Sequence, residues 1–135
     1  MSAYQCGVAM SRPLAYLAGP YRAATPYGIH QNVEDARRVA AELWRMGFSV
    51  HCPHTNTHGL GGVIPEKEFL EGDLVVLRRC DLVVVEGNYD TSEGTLEEIF
   101  AAQEHEIPRY YWPGCVGRLM ADWGEAIGEQ PSTPE

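Results

Sequence analysis

Apolar and polar positions change their period several times along this 135-residue chain, and each change marks an element. Leu14-Ala-Tyr-Leu-Ala18 is a short apolar run that stops at Gly19-Pro20, which predicts a strand followed by a loop over 21–31. Asn32, with Asp35 three residues on, predicts a helix cap. Val33, Ala36, Val39, Ala40, Leu43 and Trp44 then recur at helical spacing, and Gly47 sits where a helix ends. Residues 48–51 predict a second strand closed by Cys52-Pro53, and residues 54–64, with three glycines, a long loop. Pro65, Glu66 and Glu68 mark the next helix start, and Phe69, Leu70, Asp73, Leu74 and Leu77 share its inner face. Residues 82–85 are apolar in both parities, as in a strand covered on both sides. A helix over about 94–106 follows, with Leu96, Ile99, Phe100 and Ala102 as its inward stripe. Ile107-Pro108 breaks it. Residues 109–112 predict a fourth strand, and Val116, Leu119, Met120, Trp123 and Ile127 a final amphipathic helix.

Strand and helix alternate throughout. With right-handed crossovers this predicts an α/β fold: a flavodoxin- or Rossmann-like parallel sheet of four to five strands with helices on both faces. Residues 13–127 form the expected domain, residues 1–12 an extension, and the Pro/Ser/Thr/Glu-rich residues 128–135 a disordered tail. A flavodoxin-like order sets strands one and three side by side, where ligands bind beyond the carboxyl ends of the strands. The Gly19 loop and the loop over 87–94 then line one crevice.

The net charge of −9 changes the range of partners. A polymeric nucleic acid needs clustered Lys and Arg, so none is expected. A small phosphorylated ligand is still allowed, because backbone N–H groups at a helix start hold a phosphate without global positive charge. No apolar run is long enough to span a membrane. Cys6, Cys52, Cys80 and Cys115 form no CxxC pair, which fits free thiols in a reducing cytoplasm, and Cys52 and Cys80 read as small core residues.

Each candidate for chemistry has a plainer alternative. Glu98 lies near the start of the third helix, at the crevice. The helix dipole favours its ionised form, and an ionised carboxylate in a cleft is a competent nucleophile toward an anomeric carbon. On spacing alone, however, Glu97 and Glu98 simply complement the dipole. Tyr16 is placed to orient Glu98 by a hydrogen bond, or is a half-buried strand tyrosine. Asp73 interrupts an apolar face, either as a general acid that protonates a leaving group or at the stripe's wet edge. Asp81, at the far end of its strand, reads as structural. Ser92, Gly94 and Thr95 with Gly19, Pro20, Tyr21 and Arg22 make a phosphate cradle, or a common helix cap beside a loop. His54 and Asn56 lie at the ligand-binding edge, as base or sugar contacts or as loop polar residues. His51, Cys52, His54 and His58 match no standard zinc spacing, so no metal is expected. The Trp and Met positions read as core.

Four motifs in order carry a resemblance: Tyr16-Leu-Ala-Gly-Pro-Tyr-Arg22, Glu71-Gly-Asp73-Leu, Cys80-Asp81 and Ser92-Glu-Gly-Thr-Leu-Glu-Glu98. Over about residues 14–112 the chain resembles the nucleoside 2-deoxyribosyltransferase-like superfamily. That group holds the transferases, the 2′-deoxynucleoside 5′-monophosphate N-glycosidases, and small phage and bacterial members of unassigned function. The resemblance implies a parallel α/β fold and an N-glycosidic bond as target. It places the nucleophile at Glu98, four residues after Gly94, the strand tyrosine at Tyr16 and the helix acid at Asp73. It implies 5′-phosphate binding by Arg22, Ser92 and Gly94, no metal or organic cofactor, and a homodimer or larger assembly. The chain departs from the family pattern at Glu97, where many members carry an aromatic residue, and in the longer loop at Asn88-Tyr-Asp90. It also lacks a match for the C-terminal residues that a neighbouring subunit supplies in relatives. Gly94-Thr-Leu-Glu-Glu98 is also similar to the Gly-Thr-x-x-Glu motif of the cytokinin-activating phosphoribohydrolases, without their Pro-Gly-Gly.

The expected function is hydrolysis of the N-glycosidic bond of a (deoxy)nucleoside 5′-monophosphate, or transfer of its deoxyribosyl group, through a glycosyl–Glu98 intermediate. The alternatives are a nucleotide-binding or sensing module with little turnover, and a glycohydrolase of NAD or a related dinucleotide.

Overall fold

A computed structural model describes residues 12–128; the expected extension over 1–12 and tail over 128–135 lie almost wholly outside them. Strand β1 (Leu14–Ala18) leads into helix α1 (Pro26–Met46), strand β2 (Ser49–His51), the short helix α2 (Pro53–Thr57) and helix α3 (Glu66–Leu77). Strand β3 (Leu82–Val85), helix α4 (Glu93–Glu104), strand β4 (Arg109–Tyr111) and helix α5 (Val116–Ile127) complete the domain. The four strands form one sheet in the order β2-β1-β3-β4, all parallel.

The two-residue period of the strands divides the core in two. Ala15 and Leu17 of β1 and Leu82 and Val84 of β3 pack with Ala36 and Leu43 of α1 and Leu119 and Ile127 of α5. Tyr16 and Ala18 of β1 and Val83 and Val85 of β3 face the other way, against Leu77 of α3 and Ala101 and Ala102 of α4. Every residue of β3 is buried, in accord with its unbroken apolar run. This parity sends the Tyr16 ring toward α4, and the register sets Tyr16 opposite His51 of β2 and Val83 of β3. At the far end of the sheet, Asp81 accepts a hydrogen bond from the Leu14 amide at 2.7 Å and ties the starts of β1 and β3.

The structure corrects four expectations. Helix α1 begins at Pro26, not at Asn32: Thr25 is the cap, its hydroxyl accepting from the Gly28 amide at 3.0 Å, and Pro26 supplies the helical φ at the first position. Asn32 lies inside the helix and donates to the carbonyls of Tyr21 and Arg22, pinning the loop after β1. The stretch from His54 is not all loop, because Pro53 starts the turn of helix α2. The inner face of α4 is Thr95, Glu98, Ala101 and Ala102, while Leu96 and Phe100 are exposed. Trp44 and Met120 are likewise exposed rather than core, whereas Trp123 packs edge-on against Phe48.

Candidate active site

Three connections meet at the carboxyl ends of β1, β2 and β3, and they enclose a cavity of about 650 Å³. The loop after β1 brings Gly19, Pro20, Tyr21 and Arg22. The turn after β2 brings Pro53, His54 and Thr57. The start of α4 brings Ser92, Gly94, Thr95 and Glu98, and α3 closes the cavity with Phe69, Leu70 and Asp73. The sequence thus places most of its candidate residues around one space. Two candidates are outside the lining: Asn56 is exposed, with Thr57 at the cavity instead, and Tyr16 is fully buried. Glycine at position 19 has a steric cause, because a Cβ there would overlap the carboxylate of buried Glu86.

Glu98 is at the base of this space, 7 % exposed. Tyr16, fully buried beneath it, donates its hydroxyl to Glu98 Oε2. Burial pushes the Glu98 carboxyl up to about 8, the Tyr16 hydrogen bond opposes this, and Asp73 and Glu97 add to it. The expectation that the helix dipole holds Glu98 ionised is therefore corrected. Glu98 is the sixth residue of α4, beyond the first turn where the dipole acts, and desolvation outweighs it. Burial and the adjacent carboxylate raise the Tyr16 phenol well above its ordinary range, so Tyr16 stays a hydrogen-bond donor.

Asp73 faces the cavity from α3, half-buried, with His51 Nε2 at 3.9 Å from its Oδ1. The His51 ring lies 5.5 Å from that of Tyr16. His54 is buried and shares a 2.8 Å hydrogen bond between its Nε2 and the Pro20 carbonyl. Burial lowers its pKa, so the ring is neutral and Nε2 carries the donated proton. Tyr21 sits edge-on to both His54 and His58, with its hydroxyl 3.3 Å from His58 Nδ1. Among the described residues no three His, Cys, Asp or Glu side chains are grouped to hold a metal. The buried Cys52, Cys80 and Cys115 are free, and burial raises each thiol.

Ser92 caps α4, accepting from the Thr95 amide at 3.3 Å and the Thr95 hydroxyl at 2.8 Å, and it lines the cavity. Among the described residues Arg22 is the sole Lys or Arg of the lining, and it is ion-paired with Glu66. Glu66, Glu93 and Glu97 also line the rim. Sequence reasoning missed Glu66 as a partner of Arg22, because an acidic residue at a helix start has a sufficient local explanation in the dipole. It also missed Glu86, a buried carboxyl that burial and Asp35 push up to about 7 beneath the Gly19 loop. Its place at the end of an apolar strand was the available signal. Among the described residues no helix is long and apolar enough to cross a membrane.

No protein-family profile matches this sequence, and no curated protein does. Among solved structures, the 2-deoxyribosyltransferase of the psychrotolerant bacterium Bacillus psychrosaccharolyticus is similar, with a TM-score of 0.52 and 21 % identity, over 73 % of this chain and 70 % of that one. That protein is described as a biocatalyst for nucleoside synthesis. The likeness shows the fold: this chain has a nucleoside 2-deoxyribosyltransferase-like architecture.

Proposed function

We propose that this protein cleaves the N-glycosidic bond of a small nucleoside or nucleoside 5′-monophosphate, passing the sugar to water or to a second base. One observation carries the reading. A buried carboxyl, Glu98, is held by the buried Tyr16 hydroxyl at the base of a cavity that Asp73 enters from another helix. Ionised Glu98 attacks C1′ as the bond to the base nitrogen breaks, and the electron pair leaves with the base. Asp73 gives that nitrogen a proton. The glycosyl ester on Glu98 is then opened by water, whose proton returns to Asp73, or by an acceptor base. Phe69 and Leu70 offer an apolar wall suited to a flat base, and the Ser92 hydroxyl with the first amides of α4 suits a 5′-phosphate.

The covalent step has a direct test. Rapid quenching in acid during turnover of a panel of monophosphates and nucleosides, followed by peptide mass analysis, is expected to find the sugar mass on the peptide that holds Glu98. Base release with no such adduct, under conditions that preserve glycosyl esters, contradicts the nucleophile. The raised Glu98 pKa favours a second reading, a nucleotide-binding module with little turnover, since a neutral carboxyl is no nucleophile. A ligand recovered intact after hours with the protein, with no base released, supports that reading.

A further inference from the structure

His51 has no part in the mechanism above, and sequence reasoning considered it only as a metal ligand. Its Nε2 is buried and has no hydrogen-bond partner. An unpaired buried nitrogen is costly, and a native structure that retains one calls for a reason. The neighbours of this ring supply one. It lies against Tyr16, the residue that holds Glu98, and its Nε2 is 3.9 Å from Asp73 Oδ1. At that separation there is no hydrogen bond; closing by about 1 Å makes one. Asp73 is on a different element, α3, and lines the cavity, so one carboxyl group lies beside both His51 and the space a base would enter.

We propose that His51 is the positioning residue of the acid step. Its Nε2–H donates to Asp73 Oδ1 once substrate is bound, which turns Oδ2 and its proton toward the departing base. The Asp73 proton passes to the base nitrogen as the C1′–N bond breaks. The carboxylate left behind keeps the His51 hydrogen bond, now charge-assisted and stronger, so the contact favours the transition state over the ground state. The unpaired nitrogen is thus matched during turnover. This inference rests on the proposed N-glycosidic cleavage.

The test compares deoxyguanosine 5′-monophosphate with its 7-methyl derivative. The methylated base already carries the positive charge that a proton would supply, so it leaves neutral and needs Glu98 but no acid. His51→Leu is expected to lose at least tenfold more kcat on the ordinary substrate than on the methylated one. Asp73→Asn is expected to follow the same pattern, and His51→Gln, which keeps an N–H donor, to recover part of the loss. Because leucine removes the unpaired nitrogen, the Tm of His51→Leu is expected not to fall. Equal losses on both substrates, or no loss, overturn the role of His51. Failure of the unaltered protein to release base from these two compounds and from every other nucleoside and 5′-monophosphate of a full panel overturns the cleavage reading itself, and the inference with it.

Discussion

Glu98 sets two pH dependences of opposite benefit. Its carboxyl titrates near 8 in the fold and near 4.5 when free, so between those values the folded state binds the extra proton. Stability from this group is therefore full below about pH 4.5 and is lost as pH rises to about 8, a loss of a few kcal/mol for a shift of this size. Glu98→Gln removes the ionisation. Its Tm is expected to exceed that of the parent at pH 8 and to converge with it at pH 5, in paired thermal melts. The same substitution is expected to lower turnover about a thousandfold or more, since a nucleophile is lost. For the unaltered protein acting on the 7-methyl substrate, which needs no acid, log kcat/KM is expected to rise with pH toward a limb near 8. Tyr16→Phe deletes the hydrogen bond that favours the ionised form, so the limb moves to higher pH; a limb unmoved or moved down contradicts the Tyr16 assignment.

At the scale of elements, the proposed phosphate site rests on the start of α4 and the mouth of the cavity. The amides and Ser92 of that terminus favour an anion, yet Arg22 is occupied by Glu66, and Glu93 and Glu97 stand beside it. Both members of the ion pair are largely exposed, so the pair is worth at most about 1 kcal/mol. Glu66→Gln is expected to lower KM for a monophosphate about two- to fivefold relative to the matching nucleoside. A ratio that does not change places the phosphate elsewhere.

Element by element, legibility followed the locality of the cause. Strands β1 and β3 were readable because apolar runs between Gly, Pro and Asp have few other solutions, and Ser92 was readable as a cap. Helix α1 was misplaced at its start because Pro26 and Gly28 look like loop residues until Thr25 is seen capping them. The inner face of α4 was misread because its buried stripe holds Thr95 and Glu98, while Leu96 and Phe100 face outward. A polar residue at a buried position violates the hydrophobic pattern where the candidate site is, which is where such violations concentrate. His51 and Glu66 act through partners on other elements, which spacing along the chain does not reveal.

For the whole molecule, the order β2-β1-β3-β4 explains why the candidate site gathers residues from four segments. The chain leaves β1 toward one neighbour and returns on its other side at β3, so the loops after the two strands diverge and open a crevice. We propose, from the motif resemblance alone, an assembly of at least two chains. Sedimentation equilibrium is expected to give twice the 15.0 kDa chain mass or more. The monomer mass across micromolar concentrations contradicts that.

The central claim, that Glu98 breaks an N-glycosidic bond, is most directly tested by chromatography of free bases. The protein and Glu98→Gln are each incubated with ribo- and deoxyribonucleoside 5′-monophosphates and the matching nucleosides. The account predicts free base from at least one of them with the unaltered protein and none with Glu98→Gln. Base release of equal rate from both proteins, or none from any compound, contradicts it.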